Sequence, residues 1–221
     1  VNSWFTQENI FNLASNLAIT VAALVLFLQK VKAYMKEFAT IRQTDVAGKV
    51  KQQAQIDANI LKRMNEVRDL VDGDRLLVFE FHNQEHYANG REALRMTCTY
   101  ESCKINLTSI RSKLIGLGLS LFPQFLSSLF DRDVLYWDRI DGIEKKMPNF
   151  YTFLSQFEAQ ACYCHILKNG NREPIGFVMV VYHKPTNVQL EVDAEEVSRL
   201  SFFIEEQIQY MTDRSKVKTK K

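Results

Sequence analysis

Asp74-Arg75-Leu76-Leu77-Val78-Phe79-Glu80-Phe81-His82-Asn83 is the stretch on which the fold turns, together with Leu94-Arg95-Met96-Thr97-Cys98-Thr99-Tyr100 beyond a polar loop. The first is a short apolar run with acidic and amide residues at its ends. The second alternates and is rich in threonine. Both patterns predict strands. Three more follow towards the C-terminus: Val134–Trp137, Ala161–Leu167 and Ile175–His183. Lys168-Asn169-Gly170-Asn171 separates the last two, and Asn-Gly is a hairpin-turn signal.

Helical patterns lie between and after these strands. Leu107 to Phe130 is predicted helical with a break near Phe122-Pro123, because proline cannot continue an α-helix from within. Asn149–Gln156 is a short helix. Asp193–Met211 is a long one, with Val197, Leu200, Ile204, Ile208 and Met211 on one side. Asp193 is placed to cap it, with Glu195 and Glu196 in its first turn. The expected architecture is α/β of the α+β kind, a central antiparallel sheet flanked by helices.

Upstream of Asp74, residues 31–72 hold no proline and one glycine, Gly48. Val46, Val50, Ile56, Ile60, Met64, Val67 and Val71 recur mostly at helical steps of three and four. The repeat breaks around Gln53 and Asp57, so a clean coiled coil is not expected. A polar helix with so narrow an apolar stripe must cover it with a partner, either a second copy or the chain's own domain. Self-association is the favoured expectation, with the stripe of the last helix joining the interface.

Further upstream, Asn9 to Gln29 is uncharged, with Leu17–Leu28 as its core. Roughly 20 residues rising about 1.5 Å each cross a ~30 Å hydrocarbon layer. A cleaved signal peptide fits less well, since no Lys or Arg precedes Lys30. An interfacial helix would need a charged side. Residues 1–30 are therefore expected to be a transmembrane anchor. Lys30, Lys32 and Lys36 place the N-terminus outside and the rest in the cytoplasm, in a single-pass protein of the inner or plasma membrane. The expected domains are 1–30 anchor, 31–72 linker helix, 73–214 α/β domain and 215–221 basic tail.

The run from Asp74 to Asn83, then Gly90, then Met96–Glu101 resembles the opening strands of a GAF domain. Pro174-Ile175-Gly176-Phe177-Val178-Met179-Val180 resembles that fold's last strands. The likeness covers about residues 60–214, and similar chains behind one membrane helix occur among bacterial and bacteriophage proteins. It implies a regulatory or interaction module: a small-molecule pocket over the sheet, or a domain that has lost the pocket and dimerises through its terminal helices. The Asn-Lys-x-n-Phe-x-x-x-Asp-Glu motif of cyclic-nucleotide-binding members is absent. By analogy of fold, the pocket residues are Phe81, Asn83, Tyr87, Met96, Tyr100, Trp137 and Tyr163.

Other chemistry has little support in the residues. The formal charge of +2 gives no field for a nucleic-acid partner. Cys98, Cys103, Cys162 and Cys164 lack the Cys-x2-Cys knuckle spacing and read as buried thiols, with a zinc or redox site as the alternative. His82 and His86 straddle a strand end and a loop. Glu80, Glu101, Asp138 and Asp141 form no acid–base pair. There is no His-Glu-x-x-His, phosphate loop or Gly-x-Ser-x-Gly. No catalysis, cofactor or metal is expected. The uncharged stretch Leu114–Phe130 is read as a buried helix pair, or as a membrane- or partner-binding patch carried by Phe122, Phe125, Leu126, Leu129 and Phe130. The leading functional expectation is a membrane-anchored homo-oligomeric scaffold on the cytoplasmic side, phage-encoded or virion-associated. The alternative is a small-molecule sensor that signals to a separate partner.

Overall fold

The computed structural model describes residues 7–86, 92–185 and 190–218, with side chains described for only part of the first helix's N-terminal half. The chain forms two units, Val1–Gln55 and Ile56–Lys221. Helix α1 runs Gln7–Leu70. Most of the run proposed to cross a membrane lies outside the described side chains. Among the described residues no helix is long and apolar enough to cross one.

The second unit is built on one sheet. Its strands are β1 (Arg75–His86), β2 (Glu92–Cys103), β3 (Leu117–Gly118), β4 (Val134–Trp137), β5 (Ala161–Lys168) and β6 (Pro174–Tyr182). They lie in the order β3-β2-β1-β6-β5-β4, and every pairing is antiparallel. Helices α2 (Pro123–Arg132), α3 (Pro148–Ser155) and α4 (Leu190–Lys218) complete the unit. All five expected strands are present, and β3 is an addition.

α1 stops where Val71-Asp72-Gly73-Asp74 signals a stop. Asp72 takes a positive φ of 48°, and the Gly73 N–H donates back to the Arg68 carbonyl at 2.9 Å. That reversal closes the helix end and delivers the chain directly into β1.

Two expectations need correction. Residues 107–121 are not α-helical: they form 3-10 turns around β3, and only Pro123–Arg132 is helix. Gly116 sits at a φ of +67°, and Gly118 pairs with Arg95 in β3. A glycine in the left-handed region turns the chain out of a helix, and an open strand edge offers the backbone other partners. α4 begins at Leu190, ahead of the expected cap at Asp193. Neither Gly nor Pro interrupts Leu190–Val192, so nothing local stops the helix there.

The sheet is covered on both sides. On one, Leu77, Phe79, Met96, Cys162, Cys164, Phe177 and Met179 pack with Phe122, Phe125, Leu129, Phe150, Phe153 and Leu154. This is the aromatic layer. On the other, Leu76, Val78, Tyr163, Val178 and Val180 pack with Ile56, Ile60, Met64, Val67 and Val71 of α1 and with Val197, Leu200 and Ile204 of α4. This is the helix layer. Double coverage explains the apolar runs Leu76–Phe79 of β1 and Phe177–Tyr182 of β6. The stripe from Ile56 to Val71 thus covers the chain's own sheet, the other partner its pattern allowed. Val46 and Val50 are exposed, Ile208 packs at the layer's margin, and the side chain of Met211 is outside the described residues.

Candidate functional site

Strand β2 is the structural centre of any site, because it contributes to both layers. β1 and β2 pair with Val78 opposite Tyr100 but Phe79 opposite Cys98, so Thr99 is bulged out. A second irregularity, between Asn83 and Glu85, restores the first register towards the hairpin end. An extra residue reverses the alternation of side chains along a strand. Met96 and Cys98 therefore enter the aromatic layer, whereas Tyr100 and Ser102 turn to the helix side.

The bulge decides what becomes of the pocket residues. Phe81, Met96 and Trp137 share the aromatic layer, with Met96 buried and the other two at its margin. Tyr100 and Tyr163 are in the helix layer, on the opposite side of the sheet. Asn83 is exposed near the end of β1, and Tyr87 lies outside the described residues. Of the described ones, Phe81, Met96 and Trp137 are thus separated from Tyr100 and Tyr163 by the sheet.

The aromatic layer is closely filled over β6. Phe79 stacks on Phe177 with centroids 4.7 Å apart, and Phe125 on Phe150 at 3.9 Å. Phe81 lies at its margin. There Phe81 meets Phe130 edge-on at 6.0 Å, and Leu94 lies diagonally beside Phe81 on the same side of the hairpin. Leu94 is 48% and Phe130 43% exposed. Of the patch foreseen on 114–130, Phe122, Phe125, Leu126 and Leu129 are buried, and only Phe130 meets solvent.

Next to Phe81 along β1, His82 Nε2 lies 2.8 Å from Thr97 Oγ1, which accepts the Gly116 N–H at 2.9 Å. His82 Nδ1 is buried and makes no hydrogen bond.

β2 is also keyed to α1 by polar contacts. Tyr100 donates its hydroxyl to Asp57 Oδ1 at 2.6 Å, and Ser102 donates to Asn65 Oδ1 at 2.6 Å. Arg68 reaches Ser102 Oγ at 2.9 Å and the Cys103 carbonyl at 2.6 Å. At the helix end Lys104 pairs with Asp72 and Asp74 at 2.9 and 3.1 Å. Burial works to raise the Asp74 carboxyl, but the His183 N–H and Lys104 outweigh it and hold it below its ordinary value.

Arg75 and Glu101 form a buried ion pair at 2.9 Å. Arg75 also donates to the Thr108 carbonyl, and Glu101 accepts the N–H groups of Ile110 and Arg111. The pair ties the loop after β2 onto the sheet. Each residue alone looked like an ordinary strand-end charge. An arginine opening one hairpin strand and an acid closing the other was the available signal.

Cys98, Cys162 and Cys164 are buried, Cys103 is half-buried, and all are free thiols. Burial pushes Cys98 up to about 12 and raises Cys164 well above its ordinary value. Among the described residues no group of three or more His, Cys, Asp or Glu side chains is placed to hold a metal.

The fold has clear likenesses. The blue-light-absorbing form of the Thermosynechococcus elongatus PixJ GAF domain superposes with a TM-score of 0.54 at 13% identity, over 76% of this chain and 95% of that one. The chromophore-binding domain of the bacteriophytochrome RpBphP3 from R. palustris gives 0.54 at 14%, over 72% and 57%. The red-light-absorbing state of the red/green cyanobacteriochrome NpR6012g4 gives 0.52 at 15%, over 71% and 97%. The sequence matches no protein-family model and no curated protein. The second unit therefore has the GAF fold, and at these identities the likeness is one of fold. Three of its four thiols are buried, and burial holds Cys98 as the unreactive thiol.

Proposed function

We propose that this chain is a non-enzymatic, membrane-anchored sensor of GAF fold that reads a small, flat, apolar ligand and signals to a separate partner. The observation that carries this reading is the bulge at Thr99. Through it a single strand places Met96 and Cys98 in the aromatic layer and Tyr100 against Asp57 of α1. A shift of β2 on one side of the sheet must move contacts of the long helix on the other. The exposed apolar side chains Leu94 and Phe130, beside Phe81, are where such a ligand would enter. Residues 1–30 supply the anchor and 31–55 lead to the domain on the cytoplasmic side. The solved chromophore-binding GAF domains give the reading its analogy, with a bilin or similar planar molecule held without a covalent bond.

A scaffold is the second reading, and the filled aromatic layer favours it. The Phe125–Phe150 and Phe79–Phe177 stacks leave that region to the protein's own side chains. One experiment separates the two. Thermal unfolding of the full chain is followed with free phycoerythrobilin and a panel of flat aromatic metabolites. The sensor reading expects a rise in Tm with at least one compound, lost in Phe130→Glu and Leu94→Glu. No rise across the panel would leave the scaffold.

A further inference from the structure

We propose that Cys162, Cys164 and Met179 form a binding site for a soft monovalent metal ion, Cu(I), inside the aromatic layer. Cys162 and Cys164 stand two apart on β5, so their side chains leave the same side of the sheet, and both lie in that layer. Their thiols are hydrogen-bonded to one another. On β6, Met179 is the direct cross-strand partner of Cys164 and belongs to the same layer. All three residues are fully buried. Two thiols and a thioether thus share one patch of the sheet, bordered by Leu135 and Val181.

The donor set decides the ion. Among the described residues no further Cys, His, Asp or Glu joins the two cysteines. Zinc takes four N, O or S ligands in a tetrahedral site, which this patch does not supply. The strand also works against a disulfide. Two residues along it separate the Cα atoms by about 6.6–6.8 Å, the far limit that a disulfide spans. Thiols close enough to share a hydrogen bond are close enough to share one ion. Thiolate and thioether sulfur, with no harder donor beside them, select Cu(I). The charge balance also suits an apolar layer. One thiol releases its proton to solvent and forms the Cu–S bond. The other thiol and the Met179 thioether donate lone pairs, so Cu(I) and a single thiolate leave the layer neutral. A thiolate without the ion would be an uncompensated buried charge. Trp137 pairs with Cys162 from the edge strand β4 and is half-buried, which puts the site one strand from the edge of the sheet.

Anaerobic titration with Cu(I), in competition with bathocuproine disulfonate, tests this on the reduced full chain carrying Cys103→Ser, which removes the half-buried thiol. The chain should withdraw a single Cu(I) ion from the chelator, and Cys162→Ala and Cys164→Ala should each abolish the transfer. Met179→Leu keeps the apolar volume, so it should weaken binding severalfold in a chain that still unfolds cooperatively. In a Trp4→Phe background the ion should quench the emission of Trp137, because that residue stands opposite Cys162. No transfer to the parent chain overturns the site. Transfer that survives both cysteine substitutions, or that leaves Trp137 emission unchanged, overturns it as well. Unchanged affinity in Met179→Leu removes the thioether from the donor set. Zinc(II) bound as tightly as Cu(I) overturns the choice of ion.

Discussion

The two sides of the sheet are held by different physics. The aromatic layer is joined by ring stacking and shape, with Phe79, Phe125, Phe150 and Phe177 wholly buried. The helix layer adds to its apolar contacts a row of hydrogen bonds between α1 and β2, at Asp57–Tyr100, Asn65–Ser102 and Arg68–Cys103. Apolar packing tolerates sliding and gradual change. Directional bonds fix one register of helix against strand. The difference suits a domain in which one layer adapts and the other reports.

The largest test removes both layers together. Gly176 pairs with Glu80 between the two central strands, and a Cβ there would come 2.0 Å from the Phe79 carbonyl oxygen. The obstacle is backbone, so it cannot rotate away. Gly176→Val should abolish the cooperative fold, read as loss of a thermal transition. A cooperative transition near the native Tm would show that β1 and β6 can separate without cost to either layer.

The next tests act on one layer each. Phe177→Ala should cost about 3–5 kcal/mol, since it deletes a buried ring that contacts Phe79, Phe81 and Phe125. Arg75→Met should cost a comparable ~3–5 kcal/mol, because it strands the buried Glu101 carboxylate. The double variant Arg75→Met, Glu101→Leu should recover only part of that loss, because the Ile110 and Arg111 N–H groups lose their acceptor. Chemical denaturation measures all three. Equal losses for the single and double variants would mean that the loop hydrogen bonds of Glu101 matter as much as its charge compensation.

Tyr100→Phe tests the reporting layer alone. Loss of the hydroxyl that Asp57 accepts should cost about 0.5–1.5 kcal/mol. Hydrogen exchange should rise in α1 around residues 56–65 and stay unchanged in α2 and α3. Exchange that rises equally in both layers would remove the distinction between them.

These two layers were unequally legible in the sequence. β1, β4, β5 and β6 were visible because burial on both sides, or a clear turn signal such as Asn169-Gly170, leaves a local mark. The stripe Ile56–Val71 was visible too, although periodicity cannot say whether a stripe meets a second copy or the chain's own sheet. The pocket residues failed at β2. Strict alternation puts Met96 and Tyr100 on one side, and the bulge at Thr99 puts them on opposite sides. A bulge is fixed by pairing with a distant strand, so no pattern within β2 announces it. Residues 107–121 failed for a related reason. Their apolar spacing fits a helix, but β3 takes its hydrogen bonds from β2.

The smallest expected effect lies where α4 grips the turn between β5 and β6. Glu205 accepts the Lys168 N–H at 2.6 Å, and Gln209 accepts the Gly170 N–H at 3.0 Å. Burial raises the Glu205 carboxyl above its ordinary value of 4.5, with the Lys168 N–H and the Lys168 charge offsetting part of that rise. A carboxyl raised on folding binds its proton more tightly in the native state, so stability falls as pH climbs past 4.5 and the buried charge forms. Glu205→Gln keeps an oxygen acceptor for the Lys168 N–H and removes the charge. The variant should therefore unfold at a slightly higher temperature than the parent at pH 7. The gap should narrow on acidification and close once the parent's carboxyl is also neutral. A variant that is instead less stable at pH 7, by a margin that shrinks in acid, would show that the charged hydrogen bond outweighs desolvation. The turn would then be held by polar contact, as α1 is, and the contrast would extend to both helices of that layer.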